Sequence, residues 1–267
     1  AFFTVDEVKA FEGADYAILI GAFPQTEGVD RAEISEKNTM IFRTLGHAID
    51  KHAGRDCKVL VVGHPSCSNA WLCAYNAPSL PKENFFGLTR LDQNRAVGQL
   101  AQRARVSVDD VRNVIVWGCA GKLPDVQHAT VKGRPVESMF SSEEDRQWLQ
   151  ETFPAEVRSR GANVQKARKA GAALSAARAI VDHVQDLHFG TAPDTVTSMG
   201  VWSNGNEYGV ASGLMFSFPV YCTGGGCCRI AQPLHLGSKC RERIREAEQE
   251  LLEERALAQK LAKKHGL

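Results

Sequence analysis

The sequence has no apolar run approaching the roughly 20 residues needed to cross a bilayer, so no segment reads as transmembrane. It has almost no excess of one charge: 32 Lys and Arg against 31 Asp and Glu leave a formal +1. A nucleic acid or an anionic membrane surface finds no broad field to answer, and neither is expected as a partner. Internal repeats and low-complexity linkers are also missing, so two domains are expected to join without a flexible spacer. No methionine opens the chain and no targeting pattern follows. Ala1-Phe2-Phe3-Thr4-Val5 reads like the middle of a fold, so a fragment is expected, with any upstream localisation signal out of sight.

What is present is ordinary globular chain: 267 residues, 43% hydrophobic and 24% charged, enough for one large domain or two of usual size. The eight cysteines (Cys57, Cys67, Cys73, Cys119, Cys222, Cys227, Cys228 and Cys240) show no secreted-framework spacing. They read as reduced thiols of a cytosolic-type protein, with Cys57, Cys67 and Cys73 buried. Cys222-x4-Cys227-Cys228 with His235 can be drawn as a metal site. Adjacent cysteines suit one tetrahedral ion poorly, and Gly224-Gly225-Gly226 reads as a hairpin tip, so no metal is expected.

Three short apolar runs read as buried parallel strands: Tyr16–Ile20, Val59–Val62 and Val114–Trp117. Between the first two, Arg31–Ala53 places Ile34, Ile41, Leu45, Ala48 and Ile49 at near-helical spacing. Strand, helix, strand implies a parallel sheet, and His64-Pro65 ends its strand where ligands commonly bind. Further helices are expected over Asn94–Arg105, Ser142–Arg160 and Ala162–Phe189. A charged helix over Ser238–Lys264 carries a narrow apolar stripe, suited to docking by one face. Thr197–Val210 and Met215–Cys222 read as an antiparallel hairpin, with Asn204-Gly205 the turn signal.

At Leu88-Thr-Arg-Leu-Asp-Gln-Asn-Arg95 the chain resembles cytosolic-type malate dehydrogenase, of the lactate/malate dehydrogenase superfamily. The same resemblance runs through Ala14–Gly21, Pro78–Asn84, Asp110–Gly118, Arg160-Gly-Ala162 with Lys166–Lys169, Ser198–Val201 and Tyr208–Val210. It implies a fold of class α/β. A Rossmann-type parallel sheet, its N-terminal part missing from this chain, is followed by an α+β lactate/malate dehydrogenase C-terminal domain. The expected division is residues 1–86, the remaining part of the NAD-binding domain, and residues 87–267, the substrate domain.

Hydride transfer between malate and NAD needs a base for the hydroxyl proton, a carboxylate that orients the base, and cations that clamp the substrate carboxylates. By the resemblance, Asp92 matches the orienting aspartate, while Arg95 and Arg31 match substrate-binding arginines. Without it, Asp92 and Arg95 read as a structural ion pair on a helix. Three positions depart from the family. Gln25 replaces the first arginine of the loop after the first strand, turning a charge-assisted contact neutral at a loss of ~1–2 kcal/mol. His64 replaces a substrate-touching asparagine, either as an altered ligand contact or as drift. Ala120, after Trp117-Gly118-Cys119, stands where the proton-transferring histidine belongs, and a methyl group carries no proton. Loss of a general base costs ~10²–10⁴-fold. Cys119 with Lys122 nearby is a candidate thiolate, set against the commoner reading of an inert buried cysteine.

No Gly-x-Gly-x-x-Gly phosphate turn occurs in these residues. Contact with NAD falls to Gly21, Ala22, Val62 and Gly63 at two strand ends, with NAD binding expected if an upstream Rossmann segment exists and otherwise no cofactor. The expected function is that of a catalytically inactive homologue serving as a structural or interaction module, cytoplasmic and associated with a cytoskeletal or other large assembly. The alternatives are an NAD-dependent malate or other 2-hydroxy acid dehydrogenase with an altered site, and an NAD or dicarboxylate sensor. The family implies a homodimer, with a subunit of a larger assembly the other arrangement.

Overall fold

The computed structural model describes residues 1–23, 31–119, 123–169, 171 and 173–264, and of Arg31, Leu123, Ala262, Lys263 and Lys264 the backbone alone. Gln25, Ala120 and Lys122 lie outside the described residues. The elements run, in chain order, α1 (Glu7–Phe11), β1 (Tyr16–Leu19), α2 (Arg31–His52), β2 (Lys58–Val61), α3 (Ser66–Tyr75), β3 (Phe85–Gly87), α4 (Arg90–Ala104), β4 (Val111–Arg112), β5 (Ile115–Trp117) and β6 (Leu123–Asp125). They continue with β7 (Thr130–Val131), β8 (Arg134–Pro135), α5 (Val136–Met139), α6 (Glu143–Gln147), α7 (Phe153–Arg168), α8 (Ala173–Phe189), β9 (Thr197–Trp202), β10 (Met215–Gly224), β11 (Cys227–Ile230) and α9 (Ser238–Lys264). Two compact units gather from them. One holds Ala1–Gly87, Gly200–Phe216 and Glu248–Leu267; the other holds Leu88–Met199 and Ser217–Ala247.

In the first unit β1, β2 and β3 are parallel, with Ile18 opposite Leu60 and Leu60 opposite Phe86. The middle strand is buried along Val59, Leu60 and Val61, which is why it reads as an unbroken apolar run rather than an alternating one. Helix α2 sets Phe42 and Ile49 into the core, and α3 is buried along most of its length, from Cys67 through Ala74. Strand β9 meets β3 antiparallel at Gly200 opposite Gly87. Both positions need glycine, because a Cβ on either would lie 2.8–2.9 Å from Cys67 Sγ.

The second unit is built around α4. Ala96, Leu100 and Ala101 on its inner face pack with Val111, Val114, Val131, Val136, Phe140, Phe153 and Val157. Trp148 closes that cluster against Phe140 and Phe153, and Arg103 lies over its ring while binding Asp145 at 2.7 Å. Small antiparallel pairings, β4 with β7 with β8 and β10 with β11, fix the loops around this core.

Several sequence expectations are corrected here. Val114–Trp117 does not join the parallel sheet: β5 pairs antiparallel with β6, Val116 opposite Pro124, and the third parallel strand is β3. Ile115, Val116 and Trp117 are all buried, and such a short run carries no signal of strand direction. Ala162–Phe189 is not one helix. Lys169 turns left-handed at φ 54° and ends α7, and α8 starts at Ala173. The strand expected over Thr197–Val210 stops at Trp202, where Ser203 donates its N–H to Leu214 O and Gly205 takes the positive φ of the turn. Helix α4 begins at Arg90, before the expected Asn94, which puts Asp92 in its first turn.

Candidate functional site

Asp92 and Arg95, one helical turn apart on α4, come together as the sequence implies. Asp92 is 7% exposed, and Arg95 Nη1 donates to its Oδ1 at 2.8 Å. The arginine is pressed against α7 at Gly161, where a Cβ would lie 3.1 Å from Nη2. Glycine at 161 thus leaves room for a guanidinium whose other edge is committed to a carboxylate. That geometry fixes the arginine's plane, the requirement for gripping a carboxylate with its remaining N–H groups. Gly161 stands within the family-like Arg160-Gly-Ala162, but no signal in the sequence links it to Arg95.

The start of α4 is held by a polar network that the sequence does not announce. Gln93 donates to Val114 O at 3.0 Å, and its Oε1 accepts from Thr197 Oγ1 and Ser198 N at 3.0 and 2.9 Å. Arg90 donates to Asp186, to Thr197 Oγ1 at 2.5 Å and to Asn94 Oδ1 at 3.1 Å. Asn94 passes the contact to Asp182 at 2.7 Å, which also accepts from Arg178. His183, fully buried on α8, has its imidazole pushed down to about 3, first by burial and then by the charge of Arg90. A histidine held neutral at all ordinary pH belongs to the core rather than to proton exchange with solvent.

The strand that leads to Ala120 is equally fixed. Val116 donates its N–H to Ser198 Oγ at 2.9 Å and accepts Ser217 Oγ at 2.7 Å. Gly118, at φ 71°, donates to Ser217 O, and Trp117 Nε1 donates to Asp125 at 3.0 Å. The backbone is therefore delivered in one orientation to half-buried Cys119. The side chain that follows in the sequence is the methyl of Ala120.

In the first unit, His64 is exposed just beyond β2 and joins Pro65 through a cis peptide bond. Phe23 donates its N–H to Asn38 Oδ1 at 2.8 Å, tying the chain after β1 back to α2. Of the expected cofactor contacts, Gly63 is closed: a Cβ there would lie 2.6 Å from Ala22 Cβ and 2.8 Å from Gly21 O. Gly21 is exposed with nothing within 4 Å of its Cβ position, and Val62 is half-buried. Gly21, Ala22 and Val62 lie just past the carboxyl ends of β1 and β2, Gly21 exposed and the other two half-buried. No Gly-x-Gly-x-x-Gly turn occurs in this sequence.

The expectation of eight reduced thiols is corrected: Cys57, Cys73, Cys222, Cys227, Cys228 and Cys240 are free, whereas Cys67 and Cys119 are disulfide-bonded. Cys119 is therefore neither a thiolate nor an inert free cysteine. Cys57 and Cys73 are buried as expected, and burial pushes their thiols up, to about 11 and about 12. Among the described residues no three His, Cys, Asp or Glu side chains gather as a metal group, and no helix is long and apolar enough to cross a membrane.

Residues 2–87 match the family model of the lactate/malate dehydrogenase NAD binding domain, where the sequence led us to expect the remaining part of that domain over residues 1–86. Residues 89–262 match the lactate/malate dehydrogenase alpha/beta C-terminal domain. The cytoplasmic malate dehydrogenase of Zea mays is 44% identical over 261 residues, covering 96% of this chain and 77% of that protein. The cytoplasmic malate dehydrogenase of Homo sapiens is 43% identical over 259 residues, with the same coverage. Among solved structures, malate dehydrogenase from Naegleria fowleri is 35% identical with a TM-score of 0.89, covering 97% of this chain and 78% of that one. Lactate dehydrogenase of Trichomonas vaginalis, in complex with NADH and oxamate, is 31% identical with a TM-score of 0.90, covering 98% and 80%. The chain belongs to the cytosolic-type malate dehydrogenase family of the lactate/malate dehydrogenase superfamily.

Proposed function

We propose that this chain is a divergent malate dehydrogenase paralogue that keeps the family's fold and part of its substrate clamp but not its proton transfer, and serves as a structural or interaction module. The observation that carries this reading is the pairing of an intact Asp92–Arg95 contact with alanine after Trp117-Gly118-Cys119. In the family's reaction NAD, when bound, gives or takes the hydride. What the protein must add is a group that holds the hydroxyl proton. Here the carboxylate that would orient such a group is bonded to Arg95, and the position that would supply the imidazole is Ala120.

Arg95 is proposed to retain affinity for a substrate carboxylate; Arg31 is the other arginine that the resemblance gives this role, and the first loop arginine is replaced by the uncharged Gln25, which weakens the contact there. Gly21, Ala22, Val62 and Gly63 are proposed to edge the cofactor site. Residues 1–86 would serve as the NAD-binding part and 87–267 as the substrate domain, in a cytoplasmic homodimer or as a subunit of a larger assembly, cytoskeletal or other.

One observation favours a second reading. His64 stands exposed at the carboxyl end of β2, where an imidazole could act as base toward another 2-oxo acid. A panel of 2-oxo acids assayed for NADH oxidation separates the two. The inactive reading expects no turnover with any of them. Turnover that His64→Ala abolishes would establish the second. A thermal shift with NADH at zero turnover would mark a sensor of the cofactor.

A further inference from the structure

We propose that Cys222 and Cys228 form a cross-strand thiol pair that oxidises to a disulfide, making the β10–β11 hairpin a modification site. The two residues are direct partners in the antiparallel register. The ladder's alternation shows which kind of pair they are. Ala231 donates its N–H to Pro219 O at 2.9 Å, so the Pro219 position is a hydrogen-bonded one. Counting along the strand, Tyr221 opposite Arg229 is the next such position, and Cys222 opposite Cys228 falls between.

The backbone of Cys222 agrees. Its N–H donates to Thr191 Oγ1 at 3.3 Å and its carbonyl accepts Thr191 N–H at 3.0 Å, so both groups point away from β11. A non-hydrogen-bonded antiparallel pair brings Cα atoms to about 4.5 Å and its side chains closest together. A disulfide bridges Cα separations of about 4.4–6.8 Å. The neighbouring pair faces the other way: Arg229 lies over the Tyr221 ring at 5.9 Å, leaving the two thiols to share the opposite face.

Access differs between the two sulfurs. Cys222 is 5% exposed, and burial, then the neighbouring Cys228, push its thiol up. Cys228 is half-buried and is the sulfur an oxidant reaches. With hydrogen peroxide, the Cys228 thiolate attacks one oxygen, the O–O bond breaks, and a sulfenic acid and water form. Cys222 sulfur then attacks Cys228 sulfur, the S–O bond breaks, and a second water leaves. Two thiols have given two electrons to one peroxide. The bond would clamp the hairpin whose tip holds the end of α8, where Gly225 and Gly226 donate to His188 O and Leu187 O.

The test uses the full chain. After treatment with hydrogen peroxide, remaining thiols are alkylated in denaturant and the tryptic peptide spanning residues 179–229 is weighed. Wild type and Cys227→Ser are expected to lose two hydrogens from that peptide, reversibly with dithiothreitol, and Cys228→Ser is expected to lose none. Fragmentation of the wild-type peptide gives a second reading that needs no variant: no backbone break should appear between residues 222 and 228. The proposal is overturned if all three thiols remain open to alkylation, or if they advance only to sulfinic acids. It is equally overturned if Cys228→Ser oxidises as readily as wild type, or if Cys227→Ser abolishes the loss.

Discussion

Arg95 shows how one side chain can be read as structure and as function at once. It bonds a carboxylate that is 7% exposed and lies against a glycine of a neighbouring helix, so its removal leaves Asp92 buried without its cation. Arg95→Ala is expected to destabilise the protein by about 2 kcal/mol, measured by urea unfolding. His183 sets a pH dependence of the opposite origin. Burial, and then Arg90, hold its imidazole at about 3, so between about pH 6.5 and 3 the unfolded chain binds a proton that the folded chain refuses. Its contribution to stability is therefore complete above about pH 6.5 and lost as the pH falls, at about 1.4 kcal/mol per unit. Unfolding free energies compared between about pH 7 and pH 4 should show this slope in wild type and a flatter one in His183→Leu.

Among the elements, α4 carries Asp92 and Arg95, and its ends differ in quality. Its first turns are held through Gln93, Arg90 and Asn94, while the capping residue after its last turn, Arg105, takes the left-handed conformation at φ 55°. A side chain with a Cβ is strained there, and glycine is not. Arg105→Gly is expected to stabilise by about 0.5–1 kcal/mol, visible as a raised melting temperature. The elements also mark where sequence reading reaches its limit. Helix α2 and strands β1 and β2 were legible within a residue or so, because spacing and flanking residues agree. The direction of β5 was not, since three buried residues look alike in a parallel and an antiparallel pair. The break after α7 was missed although Gly171 stands beside it, because alanine-rich sequence on both sides masks the end of a helix.

For the whole molecule, the family was legible from motifs in order along the chain, and family models match residues 2–87 and 89–262. Asp92 and Arg95 form the ion pair that their spacing on one helix implies. The network of Arg90, Asn94, Asp182 and Asp186 was not legible, since its members are joined only when α4 and α8 pack. Gln25, His64 and Ala120 are the positions at which the resemblance implies departures from the family, and in the function we propose they concern one reaction: two the substrate's binding and one its proton. What we propose is a fold kept with its clamp half intact and its base removed.

The most direct measurement is NADH oxidation with oxaloacetate, the 2-oxo acid corresponding to malate, by the wild-type chain and by Ala120→His combined with Gln25→Arg. The account predicts no wild-type rate above the enzyme-free reaction and a gain of ~10²-fold or more in the double variant. Wild-type turnover at the rate of an ordinary dehydrogenase, unaltered by the two substitutions, would contradict it.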